Sequence, residues 1–180
     1  MGRGKNLDRL RELDLDVLGE VVREGEQMMA AQFAAATAAD QRALTWAGFV
    51  ITIAIASVGA SASLAIADKE PALAVISGLL GVLMAVSGFQ AMLSVRPRTF
   101  ALPGNLPENW LPSEWESGQL HDLRQARIEQ ARCLNGQIDD NAIAAKSAAV
   151  RMHTSMDLAA CGVLLAGIYV VGNVVLRIIQ

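Results

Sequence analysis

Three long stretches of the chain contain no charged side chain, and each is about long enough to cross a lipid bilayer. They run from Ala43 to Ala67 between Arg42 and Asp68, from Pro71 to Val95 between Glu70 and Arg96, and from Leu158 to Leu176 between Asp157 and Arg177. A hydrocarbon core about 30 Å thick is crossed by about 20 helical residues, so the first two stretches have length to spare for tilt and the third just suffices. Burial inside a water-soluble domain is the competing explanation. With 180 residues, 53% of them hydrophobic and only 18% charged, the chain has more oily surface than a soluble core of that size can hide. The expectation is an all-α membrane protein with three transmembrane helices and long cytoplasmic helical extensions, assembled as a symmetric homo-oligomeric bundle. Because a charged, amphipathic segment precedes the first stretch, that stretch is expected to be retained as a span rather than cleaved as a leader.

Orientation follows from the basic residues. Arg42, Arg96, Arg98, Lys146 and Arg151 flank one side of the spans and only Lys69 and Arg177 the other, which places the first side in the cytoplasm. The amino terminus is then inside and the carboxyl terminus outside. The connection Asp68, Lys69, Glu70 is so short that the first two spans must form an antiparallel hairpin. Pro71 suits the first turn of the second helix, where its missing amide donor costs nothing.

The remaining chain divides into an amphipathic segment, 1–42, a proline-rich elbow, 96–117, and a stalk, 118–157. Residues 1–42 carry six basic and eight acidic side chains and residues 96–157 seven and eight, so neither block offers the net positive surface that nonspecific nucleic-acid binding requires. The first segment predicts a helix from about Leu7, capped by Asn6 and continuous with the first span. Leu7, Leu10, Asp14, Leu18, Val21, Gly25, Met28, Gln32, Ala36 and Ala39 form its stripe, and Asp14, Gly19 and Gly25 leave room for a bend. In the elbow Pro97, Pro103, Pro107 and Pro112 exclude continuous helix, and Phe100, Trp110 and Trp115 suit the headgroup layer. From about Gly118 a helix of roughly 90 Å, at 1.5 Å per residue, is expected to run to Leu176. Leu120, Ala131 and Ala142, then Leu123, Leu134, Ala145 and Met156, and then Ile138 and Ala149 recur every eleven residues, the period of nearly straight associating helices. Gly136 is the expected weak point of that stalk.

Within the spans, small residues mark where helices can approach. Ser77, Gly81, Ala85 and Gly88 form one such face on the second span, and Ser57 and Ser61 another on the first. A separate small and polar face on the first span contains Thr45, Thr52, Ala56, Gly59 and Ser63, from which Thr45, Thr52 and Ser63 are candidate pore-lining residues. Asp68 and Glu70 would ring an outer mouth and Asp40 and Asp157 an inner one, which predicts a preference for cations. No span contains an ionisable carboxylate, amine or imidazole, so a proton relay or a voltage sensor is not expected.

Enzymatic chemistry is not expected either. His121 and His153 have no metal-ligand spacing to Cys133 or Cys161, the two cysteines predict no disulfide, and the chain has no phosphate-cradling glycine loop or nucleophile elbow. Neither a metal nor a cofactor is called for. Should an anionic ligand bind, Arg124, Arg127, Arg132 and Arg151 are the candidate residues, being the basic side chains nearest the stalk seam.

The expected layout is a lead helix, a two-span hairpin and a long cytoplasmic helix that enters the membrane as ARCLNGQIDDNAIAAKSAAVRMHTSMDLAACGVLLAGI, Ala131 to Ile168, with Asn141, Lys146 and Arg151 before its apolar end. That layout resembles the small transmembrane effectors of bacterial antiphage defence, namely the SLATT-type and Pycsar-type effectors and the Hailong membrane component. The resemblance implies a homo-oligomer, a tetramer or similar, in the bacterial inner membrane. It would stay closed until a nucleotide or nucleic-acid signal changes, then open and depolarise the cell, with a nucleotidyltransferase-type enzyme as a partner. Two functional expectations follow: such an ion channel, or a nonconducting anchor whose cytoplasmic helices recruit another protein to the membrane.

Overall fold

A computed structural model describes residues 8–67, 70–95, 100–104 and 122–179. It consists of a short 3-10 turn, Asp8–Glu12, followed by three helices: α1, Leu15–Ile66; α2, Pro71–Ser94; and α3, Leu123–Ile179. No strand occurs among the described residues. Each helix contains a window apolar and long enough to cross a membrane. The three apolar helices fit a membrane protein, and the all-α expectation holds.

The helix boundaries have local causes. The carbonyl of Asp14 accepts the first bond of α1, from the Leu18 amide at 2.9 Å, so α1 begins at Leu15 instead of near Leu7. Asn6 and Leu7 themselves lie outside the described residues. Helix α3 begins at Leu123 because the Asp122 carboxylate accepts from the Gln125 amide at 2.9 Å, a side-chain cap that satisfies an otherwise orphaned donor. The expected start near Gly118 lies outside the described residues, as do Trp110, Trp115, His121 and most of the elbow. At the head of α2 the Pro71 ring excludes right-handed helix from the residue before it, and Glu70 adopts φ 50 and ψ 63.

The chain divides into two compact units, one within 1–37 and 98–145 and one within 38–97 and 146–180. In the first unit α1 and α3 run parallel, as the order of their contacts requires: Gly25 lies against Leu134, and Gln32 reaches Ile138. Val22, Met29, Ala131 and Leu134 form the core, with Leu10, Val21, Ala101 and Ile138 packed around it. The lead helix therefore has a partner, and that partner is the stalk of the same chain. Gly19 and Gly25 are not bends. A Cβ at Gly19 would collide with the Arg127 guanidinium, and one at Gly25 would come within 3.2 Å of Leu134 Cδ1, so both positions are small to admit side chains of α3. The helix is likewise continuous through Gly136.

In the second unit α1 and α3 are again parallel, with α2 antiparallel to both. Val50, Ala54, Met84 and Ala159 fill its core, flanked by Trp46, Ile53 and Leu80. The hairpin of α1 and α2 is tight. A Cβ at Gly81 would lie 2.7 Å from Val58 Cγ2 and 3.2 Å from the Ala54 carbonyl oxygen, and one at Gly88 would lie 2.7 Å from Ile51 Cγ1. Ser61 Oγ also donates to the Ala74 carbonyl at 2.7 Å. These small faces serve as contact faces because backbone can approach backbone only where side chains are absent.

Candidate functional site

One stripe organises α1 along its length. Leu18, Val22, Met29, Ala43, Ala47, Val50 and Ala54 are buried, and Gly25, Gln32, Ala36, Asp40, Ser57 and Ser61 between and beyond them are half-buried. Their steps of three and four residues keep one side of a 3.6-residue helix inward. At 100° per residue, Thr45, Thr52, Ala56, Gly59 and Ser63 fall about half a turn away from Ala43, Ala47, Val50 and Ala54, and all five are exposed. The candidate pore-lining residues thus share one face, opposite the side that packs against the rest of the chain. Among the described residues, a Cβ at Gly59, or at Gly48 on the flank of this face, would meet nothing within 4 Å. Thr45 donates to the Gln41 carbonyl at 3.0 Å and Thr52 to the Gly48 carbonyl at 2.9 Å, so each hydroxyl proton is satisfied within its own turn and each oxygen still has acceptor capacity.

The candidate mouth residues do not form one group. Glu70 and Asp157 are exposed, with Asp157 on the side of α3 away from Ser155 and Ala159. Asp40 is half-buried, has an interaction of its own, and lies closer to the packed stripe of α1 than to the threonine face. Asp68 lies outside the described residues.

The four arginines separate as well. Arg124 donates to the carbonyls of Arg11, at 3.1 Å, and of Leu13, and Arg127 donates to that of Leu15 at 2.7 Å, so in the first unit they tie the start of α3 to the start of α1. Arg132, one turn further on, is half-buried and also partnered. Arg151 belongs to the second unit, where it donates to the Leu93 carbonyl at 3.2 Å near the end of α2. A bound anion would have to compete with those carbonyls. His153, Cys133 and Cys161 are exposed, and no group of metal-ligating side chains occurs among the described residues.

Two polar arrangements were not legible in the sequence. In the first unit Asn141, only 1% exposed, accepts from the Ala101 amide at 3.0 Å and donates to the Ala101 carbonyl at 3.1 Å. One side-chain amide thereby satisfies both backbone groups of a residue in the stretch that follows α2. In the second unit Ser87 and Ser155, both fully buried, bond reciprocally. Ser87 donates to the Ser155 carbonyl and Ser155 to the Ser87 carbonyl, each at 2.8 Å, and Trp46 Nε1 donates to Ser155 Oγ at 2.9 Å. Each hydroxyl has one proton, so this assignment uses every donor once. The adjacency of Ser87 to Gly88 on the small face of α2 was the available signal. No protein-family model, curated protein or solved structure matches the chain.

Proposed function

We propose that the protein is an ion-conducting membrane protein that works as an assembly of identical copies, in the manner of the defence effectors whose layout it resembles. The observation that carries this reading is the exposed face of Thr45, Thr52, Ala56, Gly59 and Ser63 opposite the packed side of α1. A lipid-facing surface gains nothing from threonine, serine and glycine, whereas a contact between helices, or a wetted wall, uses all three. The core of the second unit is filled by Val50, Ala54, Met84 and Ala159, so the conduit belongs between copies and not within one. On this reading the amino terminus is cytoplasmic and the carboxyl terminus periplasmic in a bacterial inner membrane. Exposed Glu70 and Asp157 favour cations at the two mouths, and a nucleotide or nucleic-acid signal controls opening.

Planar-bilayer recording from the purified full-length protein tests it. Expected are discrete, cation-preferring currents whose amplitude falls when Thr52→Leu narrows the wall. Verified insertion without conductance, with or without added nucleotides, overturns the reading in favour of a nonconducting anchor. Anion-selective currents overturn the assignment of the mouths.

A further inference from the structure

We infer that α3 is held to the α1–α2 hairpin by a releasable latch made of Ser87, Ser155, Trp46 and Arg151. The two sides of α2 differ. Toward α1, Gly81 and Gly88 bring helix against helix so closely that the Ala54 carbonyl lies 3.2 Å from where a Cβ at Gly81 would be. Toward α3, a Cβ at Gly162 would meet side-chain atoms instead of backbone, Leu80 Cδ1 at 3.1 Å and Leu83 Cβ at 3.4 Å, and the polar ties, as with Ser61 to Ala74 on the other side, are hydroxyls donating to backbone carbonyls.

Each of those ties has a second partner available. A serine hydroxyl in a helix can donate to the carbonyl four residues earlier, and Thr45, Thr52 and Thr154 do the equivalent in this chain. If α3 withdraws, Ser87 can turn to the Leu83 carbonyl and Ser155 to that of Arg151. Both carbonyls now accepting across the interface remain within their helices' own bonding pattern. Trp46 stands three residues inside the first apolar stretch, at the depth where an indole N–H finds headgroups or water. Arg151 is exposed, and a lipid phosphate accepts from its guanidinium as readily as the Leu93 carbonyl does. Joined or parted, none of these four side chains is stranded in hydrocarbon. That is the condition for a bistable element, because interhelical hydrogen bonds in lipid add little when the separated groups find partners of their own. The latch deepens the proposed channel by supplying its moving part, and it rests on reading the three helices as spans.

Distance measurement by paired spin labels decides the matter without reference to conductance. Phe89→Cys and Met156→Cys place labels at exposed positions beside the serine pair, in a background with Cys133→Ser and Cys161→Ala, diluted into unlabelled protein in phosphatidylethanolamine and phosphatidylglycerol vesicles. Two populations are expected, the longer displaced by roughly 5 Å or more, the scale of a one-turn shift. Ser87→Ala with Ser155→Ala should raise the longer population severalfold. One sharp distance that the alanine pair leaves in place overturns the latch. Should the alanine pair fail to insert, a Ser87→Cys and Ser155→Cys disulfide, whose parent oxygens are 3.0 Å apart, is expected to abolish current until it is reduced. Undiminished current through the oxidised protein overturns the latch and leaves the channel standing. Two distances in a protein that never conducts keep the latch and remove the channel.

Discussion

Among single residues the buried amides give the clearest expectations. Gln32 donates to the Ile138 carbonyl at 3.3 Å, but among the described residues nothing donates to its buried Oε1. An unmet buried acceptor costs roughly 1 to 3 kcal/mol, so Gln32→Met should leave the protein as stable or up to about 2 kcal/mol more stable in thermal unfolding of detergent-solubilised protein. Asn141→Leu should do the opposite. It strands the amide and carbonyl of Ala101, and the loss is expected to be about 2 kcal/mol or more. A pH effect belongs to this scale too. The Arg23 guanidinium hydrogen-bonded to Glu20 holds that carboxyl below its ordinary range, so the bond's contribution is present above the unfolded carboxyl's pKa and is lost as pH falls through the folded one. The pair is exposed on the first turns of α1, so the acid-dependent loss of helicity that Glu20→Gln removes should be small and should vanish in high salt.

At the scale of helices, the glycines separate what is packed from what is open. Gly81→Ala drives a methyl against Val58 and the Ala54 carbonyl, and overpacking of about 1 to 3 kcal/mol should outweigh the gain of about 1 kcal/mol in helix propensity. Gly59→Leu starts from a Cβ position with nothing within 4 Å among the described residues. It should therefore stabilise the solubilised monomer slightly in thermal unfolding, by the helix propensity gained over glycine, about 1 kcal/mol or less, while lowering the oligomeric mass seen by light scattering, and an unchanged mass would remove this face from the assembly. Much at this scale was legible in advance: the three long apolar helices, the hairpin, the proline at the head of α2 and the small contact face of Gly81 and Gly88 all follow from charge, length and residue size. The seam of α3 was not. Eleven-residue spacing selected Ala131, Leu134 and Ile138, which do turn inward, but also Ala142, Ala145, Ala149 and Met156, which are exposed. The buried line passes instead through Asn141 and Ser155. In an alanine-rich stretch every face looks alike, and a polar side chain satisfied by a distant backbone reads as surface until that backbone is seen.

For the whole molecule, the in-chain pairing of α1 with α3 alters what assembly must accomplish. The lead helix and the stalk already pack against each other in the first unit, so in the proposed assembly association of copies would fall to the surfaces that remain, above all the threonine and serine face of α1. The polar positions most easily read from sequence, Arg124, Arg127 and Arg151, act as ties to backbone carbonyls, and only competition with those ties would make them a sensor. Replacing Arg124 and Arg127 together by alanine should loosen the start of α1, seen as faster amide exchange near Leu15, whether or not a ligand exists. The most direct measurement of all is modification of single cysteines during bilayer recording, in protein with Cys133→Ser and Cys161→Ala. A cationic thiol reagent is expected to reduce current through Thr45→Cys, Thr52→Cys and Ser63→Cys proteins and to leave Val75→Cys, exposed on α2, unaffected. Equal insensitivity of all four positions, or modification at Val75→Cys alone, would contradict a conduit walled by the outer face of α1.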